Sequence, residues 1–234
     1  MTYPMQPKPY YIVPFCQEKV EILLADEDFL VVSKPSGLLS VPGKAPENKD
    51  CLITRVQQEY PTATTVHRLD LDTSGVMVVA LTKDAHRNIS KQFEERRVAK
   101  EYVAHVYGIV EQDQGTVDLP LICDWPNRPK QKVDFELGKQ AVTHWSVMER
   151  CLGNSTNETS TSAYTVVKLK PITGRSHQLR VHMAAIQHPI LGCDMYAHAD
   201  AFRAAPRLML HAERLTFYHP TTNETIDIIQ SPTM

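Results

Sequence analysis

The sequence predicts an α+β fold with a central mixed, mainly antiparallel sheet flanked by helices and loops. Apolar runs of strand length recur along the 234 residues, whereas helical periodicity is confined to a few segments. Strands and helices do not alternate in the regular way that is typical of a parallel α/β sheet. With 42% hydrophobic residues, the chain is long enough for one large domain or two small subdomains with a substantial core.

The composition excludes several classes of protein. No apolar run approaches the ~20 residues that a membrane-spanning helix needs, and residues 1–15 lack the apolar centre of a signal peptide. The five cysteines are scattered without a Cys-x-x-Cys pair, which argues against a disulfide framework and a zinc site. We therefore expect a cytoplasmic protein. Because the formal net charge is −2, any contact with nucleic acid has to come from local basic segments.

The first sixty residues are predicted to form an irregular arm, a hairpin and a short helix. Four prolines discourage regular structure in residues 1–19, so we expect an N-terminal arm there and a folded domain over residues 20–230. Two apolar runs around an acidic turn predict strand–turn–strand within residues 20–32. A loop rich in Pro and Gly follows at 34–43, and a helix is predicted over 52–59 because Pro61 ends it.

Residues 67–75 read His-Arg-Leu-Asp-Leu-Asp-Thr-Ser-Gly and lead directly into an apolar run at 75–81, which predicts a buried strand. Charged groups this close to a core need partners, because burying an unpaired ion costs several kcal/mol. We therefore expect Arg68, Asp70 and Asp72 to be buried and either paired or used in chemistry. A purely structural ion pair at the entry to the strand is the alternative.

The central part of the chain supplies further elements. Asp84 is predicted to cap a helix in which Ala85, Ile89 and Phe93 recur at every fourth position. Strands are predicted at 102–107, 142–148 and 164–169. An ordered loop is expected at 119–129, and the hydrophilic residues 153–162 predict an exposed loop.

A second polar segment, residues 170–183, follows a strand and opens a helix, for which Ser176 is the predicted cap. Arg175 is expected just before the helix, and His177 and Arg180 are neighbours on a face away from the core. The core-facing residues of this helix are Leu179, Met183 and Ile186. Arg175, His177 and Arg180 are therefore expected to converge at a helix N-terminus, which favours anions.

The residues alone leave several chemistries open. A metal site could use the imidazoles and carboxylate of His67, Asp70, His177 and His182, although their spacing matches no specific ligand motif. Ser-His-Asp hydrolysis lacks the Gly-x-Ser-x-Gly elbow. The remaining hypothesis is an Asp that acts as nucleophile or base and is kept ionised by an Arg, at a site that meets phosphate.

At this point the motifs resemble those of the RluA-type pseudouridine synthases, over roughly residues 20–230. The signature His67-Arg68-Leu69-Asp70 with Thr73-Ser74-Gly75 is accompanied by further blocks in the family's order. These blocks are Lys34-Pro35-Ser36-Gly37, Lys100-x-Tyr102 with Gly108, Gly174-Arg175-x-His177-Gln178-Leu179-Arg180-x-His182, His188-Pro189-Ile190-Leu191-Gly192 and Leu208-x-Leu210-His211-Ala212. Residues 123–132 further resemble a branch of the family that acts on both tRNA and 23S ribosomal RNA.

The resemblance implies the pseudouridine synthase catalytic fold, with two subdomains around one RNA-binding cleft. It assigns Asp70 as the catalytic aspartate, Arg180 as its ionic partner and Tyr102 as the residue that packs against the target base. It implies RNA contacts for Arg68, Arg175, His177, Lys130 and Lys132. Leu208 and Leu210 are expected to border the pocket, and Asp72 is expected to be structural.

The same resemblance implies the isomerisation of selected uridines in structured RNA, in 23S ribosomal RNA, in a tRNA anticodon stem-loop or in both. No cofactor and no metal are expected, and the N-terminal S4-like domain of many family members is not expected here. We expect a monomer whose partner is RNA, with no membrane association. The alternatives are an RNA-binding module without catalysis and a metal-dependent hydrolase. The modified uridines and the chemical route taken by Asp70 stay open.

Overall fold

The structure of the protein is a computed structural model that describes residues 11–153 and 162–232. The strands are β1 (Glu21–Ala25), β2 (Phe29–Lys34), β3 (Thr64–Thr65), β4 (Ser74–Ala80), β5 (Ala99–Tyr107), β6 (Gln114–Asp118), β7 (Leu121–Cys123), β8 (Gln131–Val133), β9 (Val142–Cys151), β10 (Tyr164–Pro171), β11 (Leu210–Tyr218) and β12 (Thr225–Ile229). The helices are α1 (Leu52–Val56), α2 (Lys83–Glu94), α3 (Gln178–Ala185) and α4 (Ala199–Arg203). None of these described helices is long and apolar enough to span a membrane.

Ten of the described strands form one sheet in the order β1-β2-β4-β11-β5-β10-β9-β6, with β3 added to β4 and β12 added to β11. The β4–β11 pairing is parallel, and the other pairings described in this sheet are antiparallel. Strands β7 and β8 form a separate hairpin, residues 121–133. The predicted α+β class with a mixed, mainly antiparallel sheet is therefore confirmed.

The two halves of the sheet meet where β4 touches β11. Only two residue pairs join these strands, Ser74 with His211 and Gly75 with Ala212. Gly75 has a φ of +114°, and a Cβ atom there would lie 2.2 Å from the carbonyl oxygen of Ala212. Glycine is thus required both by the backbone conformation and by the close approach of the neighbouring strand.

Both faces of β2 and β4 are covered, which explains their continuous apolar sequence. Leu30 and Met77 belong to one hydrophobic cluster, and Val31 and Val78 belong to another. A third cluster fills the other half of the sheet, between β5, β10 and α3. Tyr102 of β5 packs against the clusters of both halves. The functional side chains described below lie at this boundary.

Most predicted strands are confirmed, and two predicted helix starts are wrong. The cap of α2 is Thr82, whose Oγ1 accepts a hydrogen bond from the amide of Ala85 at 3.1 Å, and Asp84 lies within the first turn. The cap position of α3 is held by His177 rather than Ser176. His177 has a left-handed backbone with a φ of 54°, so the chain turns sharply into the helix.

Three further expectations are refined. Helix α1 ends at Val56, before the predicted end at residue 59, because the chain continues as turns. The predicted loop at 119–129 contains β7 and a short 3-10 helix, and it forms a hairpin with β8. Of the expected loop at 153–162, residues 154–161 lie outside the described part of the chain.

The described part of the N-terminal arm, residues 11–19, contains no helix or strand but is tied to the domain. The side chain of Asn48 accepts from the amide of Val13 and donates to the carbonyl of Tyr11. Arg55 donates to the carbonyls of Cys16 and Glu18. Hydrogen bonds therefore position a segment whose prolines prevent regular structure.

Candidate active site

The loop that carries Asp70 is fixed by its backbone. Every carbonyl oxygen from residue 69 to residue 72 accepts a hydrogen bond. The donors are Ser40 Oγ to Leu69 (2.7 Å), Thr73 N to Asp70 (3.3 Å), Gly37 N (3.0 Å) and Lys34 Nζ (2.8 Å) to Leu71, and Ser36 Oγ to Asp72 (2.8 Å). The Lys34-Pro35-Ser36-Gly37 block and Ser40 thus define where Asp70 stands.

Lys34 is the most deeply buried charged residue of this loop system, with 0% of its surface exposed. Its Nζ donates to the carbonyl oxygens of Pro35 (2.9 Å), Leu38 (2.6 Å) and Leu71 (2.8 Å). Burial lowers the pKa of Lys34 to about 7, while three accepting carbonyls use all three protons of the ammonium form. This lysine therefore acts as a buried donor between two loops.

Arg180 faces Asp70 from the first turn of α3. Its guanidinium is 3% exposed, and Nη1 lies 3.7 Å from Asp70 Oδ2. Its shorter bonds go elsewhere, from Nη2 to Asp194 Oδ1 at 2.5 Å and from Nε to Cys193 Sγ at 3.3 Å. The structure thus contains the expected Asp70–Arg180 ion pair. Of the two carboxylates that Arg180 contacts, Asp194 is the nearer and Asp70 the farther.

His177 is the second polar neighbour of Asp70. Its Nε2 lies 3.9 Å from Asp70 Oδ2, and its Nδ1 lies 2.6 Å from the hydroxyl of Tyr196. Burial lowers the pKa of His177, which favours the neutral imidazole. The left-handed backbone at His177 aims the ring at Asp70 instead of along the helix.

The side chain of Gln178 holds the entry to α3. Its Oε1 accepts from Thr173 Oγ1 at 2.7 Å and from the amide of Arg175 at 3.0 Å. Its Nε2 donates to the carbonyl of Val142 and to Thr143 Oγ1, both at 2.9 Å. Residues 173–178 are therefore positioned by a buried amide, which ties the start of α3 to β9.

A cavity of about 300 Å³ lies between the two loops. Asp70 is the only carboxylate among its described lining residues, whereas four lysines and arginines line it. These cations are Arg68, Lys100, Arg175 and Arg180. The cavity is therefore cationic in a chain whose net charge is −2, which suits a phosphate-bearing ligand that presents its reacting atoms to one carboxylate.

Tyr102 projects from β5 into the same cavity. Burial raises the pKa of its phenol well above the usual value, and the charge of Asp70 raises it further. The tyrosine therefore presents a neutral ring and a hydroxyl donor beside the carboxylate.

Of the other residues singled out from the sequence, some line the cavity and others lie outside it. Arg68 and Leu210 line the cavity, but Arg68 is exposed, so the expectation that it is buried is wrong. Leu208 does not line the cavity; it is 2% exposed and packs in the core. Lys130 and Lys132 lie outside the cavity on the 121–133 hairpin, where Lys132 is 3.4 Å from Asp134.

Asp72 faces a different part of the molecule from Asp70. It lines a groove beside residues 11–18 of the N-terminal arm. Burial and the charge of Asp194 raise the pKa of Asp72. Of these two aspartates, separated by one residue, only Asp70 lines the cavity, although the charges of Asp194 and Arg180 also act on the Asp72 carboxylate.

Of the four residues considered as metal ligands, His67, Asp70 and His177 line the cavity and His182 does not, and their ligand atoms form no metal-binding group among the described residues. His67 Nε2 accepts from the amide of Val78 at 3.1 Å, and burial lowers the pKa of His67 to about 3. Both ring nitrogens of His182 are bonded, to Thr143 Oγ1 and to the carbonyl of Leu119. Neither imidazole is therefore available to a metal at Asp70, so the geometry does not favour this alternative.

One group of potential metal ligands occurs among the described residues, Asp26, Asp28 and His219, at turns between strands. His219 Nδ1 accepts from the amides of Thr221 and Thr222. The neutral ring therefore carries its proton on Nε2, which lies 3.4 Å from Asp26. The arrangement is that of hydrogen bonds that hold two turns together.

Several residues of the site were missed by sequence reasoning. Lys34 opens a motif that was assigned to a loop, and one of the three carbonyls that its Nζ binds, that of Leu71, belongs to a distant residue. Asp194 and Tyr196 lie two and four residues after Gly192, so their position just beyond a recognised block was the available signal. Lys100 was noted only as part of a motif, yet it lines the cavity, and burial lowers its pKa.

Comparison with known proteins gives a consistent result. Residues 28–185 match the family model described as RNA pseudouridylate synthase. The chain is 58% identical over 199 residues to the dual-specificity RNA pseudouridine synthase RluA of Yersinia pestis, covering 85% of this chain and 92% of the relative. The RluA of Haemophilus influenzae is 49% identical over 213 residues, covering 91% and 93%.

Solved structures agree with these sequence relatives. The structure of human RNA pseudouridylate synthase domain containing 1 superposes with a TM-score of 0.76 at 29% identity, covering 94% of this chain and 86% of that one. Human RNA pseudouridylate synthase domain containing 4 gives a TM-score of 0.68 at 26% identity, covering 91% and 89%.

Proposed function

Because this chain belongs to the RNA pseudouridylate synthase family, it is an RNA pseudouridine synthase, an isomerase, and we propose that Asp70 is its catalytic carboxylate. The observation that carries this proposal is that Asp70 is the only carboxylate among the described residues lining the cavity. Its Oδ2 faces Arg180 and His177 at 3.7 and 3.9 Å. One carboxylate among cations is suited to a reaction at a single nucleotide of a polyanion.

The target uridine has to leave its base stack to reach Asp70. A carboxylate at the bottom of a cavity cannot touch C1′ or C6 of a nucleotide within a stacked strand, so extrusion is required. A volume of about 300 Å³ is at the lower end of the range for small-ligand sites, which suits one extruded nucleotide. Arg68 and Arg175 line the cavity and are proposed to contact the RNA backbone, with His177 beside them.

The isomerisation breaks the bond between N1 and C1′, turns the uracil over and joins C5 to C1′. A proton is lost from C5 and one is gained at N1, so the product has the composition of the substrate. Asp70 could attack C1′, add to C6 or remove the C2′ proton, and each route uses an ionised carboxylate beside sugar and base. We propose that Arg180 stabilises this charge and that Tyr102 packs on the uracil as a neutral phenol.

We further propose that this chain acts on two kinds of RNA, a tRNA anticodon stem-loop and 23S ribosomal RNA. The relatives at 49% and 58% identity carry the name dual-specificity RNA pseudouridine synthase, which supports this proposal. Lys130 and Lys132 on the exposed 121–133 hairpin are proposed to bind phosphates outside the cavity. The proposed enzyme is a cytoplasmic monomer in which residues 20–230 form the catalytic domain around one cleft.

The proposal is tested by replacing Asp70 with Asn and measuring pseudouridine formation in a tRNA transcript and in a fragment of 23S ribosomal RNA. Asp70→Asn keeps the size of the side chain but removes its charge. We expect product formation to fall by about 1,000-fold or more, since the carboxylate is required in every route. RNA affinity and the unfolding midpoint should change little.

Asp72→Asn is the matched control, because Asp72 lies on the same loop but faces the groove beside the N-terminal arm. It should retain most of the activity. Full activity of Asp70→Asn would contradict the assignment of the catalytic carboxylate. Binding of both RNAs by the wild-type chain without any pseudouridine would instead favour an RNA-binding module.

A further inference from the structure

Tyr196 makes an unusual set of contacts directly behind the groups that face Asp70. It lies in the segment between α3 and α4 and is not among the residues that line the cavity. Its hydroxyl accepts from the amide of Gln131 at 2.8 Å and pairs with His177 Nδ1 at 2.6 Å. The guanidinium of Arg180 stands over its ring, with Cζ 5.3 Å from the ring centroid.

We infer that Tyr196 is a positioning residue that connects the 121–133 hairpin to Asp70 by orienting His177 and Arg180. The inference rests on the proposed function, because it explains how the groups around Asp70 are held for that reaction. Nothing in it requires Tyr196 to touch the RNA.

The groups around His177 determine which ring nitrogen carries the proton. Nε2 faces the Asp70 carboxylate, which can only accept, so a neutral imidazole places its hydrogen there, and the Tyr196 hydroxyl, which accepts from Gln131 N, can donate its own proton to Nδ1. A neutral imidazole that accepts at Nδ1 carries its hydrogen on Nε2, which is the atom that faces the Asp70 carboxylate. The tyrosine and the aspartate therefore favour the same tautomer of His177.

The ring of Tyr196 contacts the second partner of Asp70. Arg180 lies over one face of the ring, and His177 meets the ring nearly perpendicularly at 5.6 Å between centroids. A guanidinium over a phenol ring is stabilised by a cation–π interaction, which restricts its rotation. One side chain thus limits the motion of both groups that face the carboxylate.

The link to the hairpin follows from the position of Gln131. This residue begins β8 and lies between Lys130 and Lys132, the residues proposed to bind phosphates. The hairpin pairs only with itself among the described strands of the two sheets, apart from an isolated bridge between Leu121 and Lys139. Its bond to Tyr196 is therefore a direct path from the predicted RNA contacts to the carboxylate.

The first test is Tyr196→Phe, which keeps the ring over Arg180 and removes the hydroxyl. We expect kcat for pseudouridine formation in an anticodon stem-loop transcript to fall about tenfold, the size of one lost hydrogen bond, while the Kd for the RNA changes less than about twofold. Tyr218→Phe is the matched control, because Tyr218 also stacks with an arginine, Arg97 at 5.0 Å, and neither residue lines the cavity. It should leave kcat unchanged.

A double-mutant cycle separates positioning from general destabilisation. His177→Asn removes the imidazole and retains a residue type that tolerates a left-handed backbone. If Tyr196 acts through His177, adding Tyr196→Phe to His177→Asn should cause no further loss of kcat. Additive losses from the two substitutions would overturn the inference.

A second readout does not depend on activity. In protein labelled with ¹⁵N-histidine, the His177 ring signals, identified by their loss in His177→Asn, should show an accepting Nδ1 and a protonated Nε2. Tyr196→Phe should shift these signals, and Tyr218→Phe should not. Unchanged His177 signals in Tyr196→Phe would overturn the inference, whereas a wild-type chain that forms no pseudouridine would contradict the proposed function and leave this measurement valid.

Discussion

The loop that carries Asp70 and the loop that carries His177 and Arg180 hold their side chains by different means. The first is held through its carbonyl oxygens, which accept bonds from Lys34, Ser36, Ser40 and other donors. The second is held through side chains, with Gln178, Asp194 and Tyr196 forming most of its polar contacts. The first loop is therefore held mainly through its backbone, whereas His177 and Arg180 of the second are held mainly through contacts with other side chains.

This difference has a functional meaning. A loop anchored by its own carbonyls and a fully buried lysine holds the backbone of Asp70 in place. The bonds from His177 to Tyr196 and from Arg180 to Asp194 join side chain to side chain, so these contacts can change without moving the backbone. The contact from Gln131 to Tyr196 gives that network a connection to the surface. We therefore expect substitutions in the two loops to affect folding and turnover in different proportions.

Among the residues that support Asp70, the largest effect is expected from Arg180→Ala, which breaks the side-chain network at its centre. Arg180 is 3% exposed and faces two carboxylates, Asp70 and Asp194. Its removal leaves these charges without their partner, so activity should fall about 100-fold or more and the free energy of unfolding by about 2–4 kcal/mol. Product formation and urea unfolding measure the two quantities.

Arg203→Ala is the matched control for Arg180→Ala. Arg203 forms an ion pair with Asp200 at 3.0 Å, but both side chains are more than 60% exposed. Its loss should change the free energy of unfolding by about 0.5 kcal/mol or less. If Arg180→Ala matched the wild type in stability and turnover, Arg180 would not be needed to stabilise the charges of Asp70 and Asp194.

The next largest effect is expected from Lys34→Met, which removes the buried donor of the backbone-anchored loop. The carbonyls of Pro35 and Leu38 lose their bond to Nζ, which should lower the free energy of unfolding by about 2–3 kcal/mol. Because Leu71 is adjacent to Asp70, activity should fall roughly tenfold. Chemical unfolding and turnover in the same buffer test this.

Lys49→Met is the control for Lys34→Met. Lys49 Nζ also donates to a carbonyl, that of Gly43 at 2.8 Å, but it does so at the exposed surface. This variant should match the wild type in both measurements. A Lys34→Met variant that is as stable and active as Lys49→Met would show that the carbonyl anchors do not depend on the lysine.

The smallest effect is expected at the hairpin. Lys130 is exposed and forms no ion pair among the described residues, whereas Lys132 lies near Asp134. Lys130→Ala should weaken RNA binding severalfold and reduce the slope of log Kd against log salt by about 1. Lys132→Ala should do less, because Asp134 already offsets its charge. Titrations at several salt concentrations check this, and an unchanged slope for Lys130→Ala would exclude a phosphate contact.

The sequence allowed most local structure and the main motifs to be predicted. The hairpin of β1 and β2, the buried strand β4 and the core-facing residues of α3 follow from apolar periodicity, which depends on neighbours in sequence. The prediction that Asp70 pairs with Arg180 came from a family resemblance. Periodicity alone cannot show which loops, distant in sequence, meet in the fold.

The features that could not be predicted depend on contacts between distant residues. A lysine beside a Pro- and Gly-rich loop is ordinarily exposed, and Lys34 is buried with its Nζ bonded to three carbonyls, of which that of Leu71 is distant in sequence. The tight bond from Arg180 to Asp194 depends on how the segment after α3 returns to the helix. The cap of α3 was assigned to Ser176 by residue type, whereas a histidine with positive φ occupies the position.

The order of strands in the sheet has a consequence for synthesis of the protein. Strand β11 lies between β4 and β5, yet it is made more than a hundred residues after β4, and it contributes Leu210 to the cavity. While the ribosome adds residues 108–209, β4 and β5 cannot form one sheet, because β11, the strand that lies between them, has not yet been made. Both loops that line the cavity leave the ribosome before that strand, so the cavity is completed only once β11 has been made.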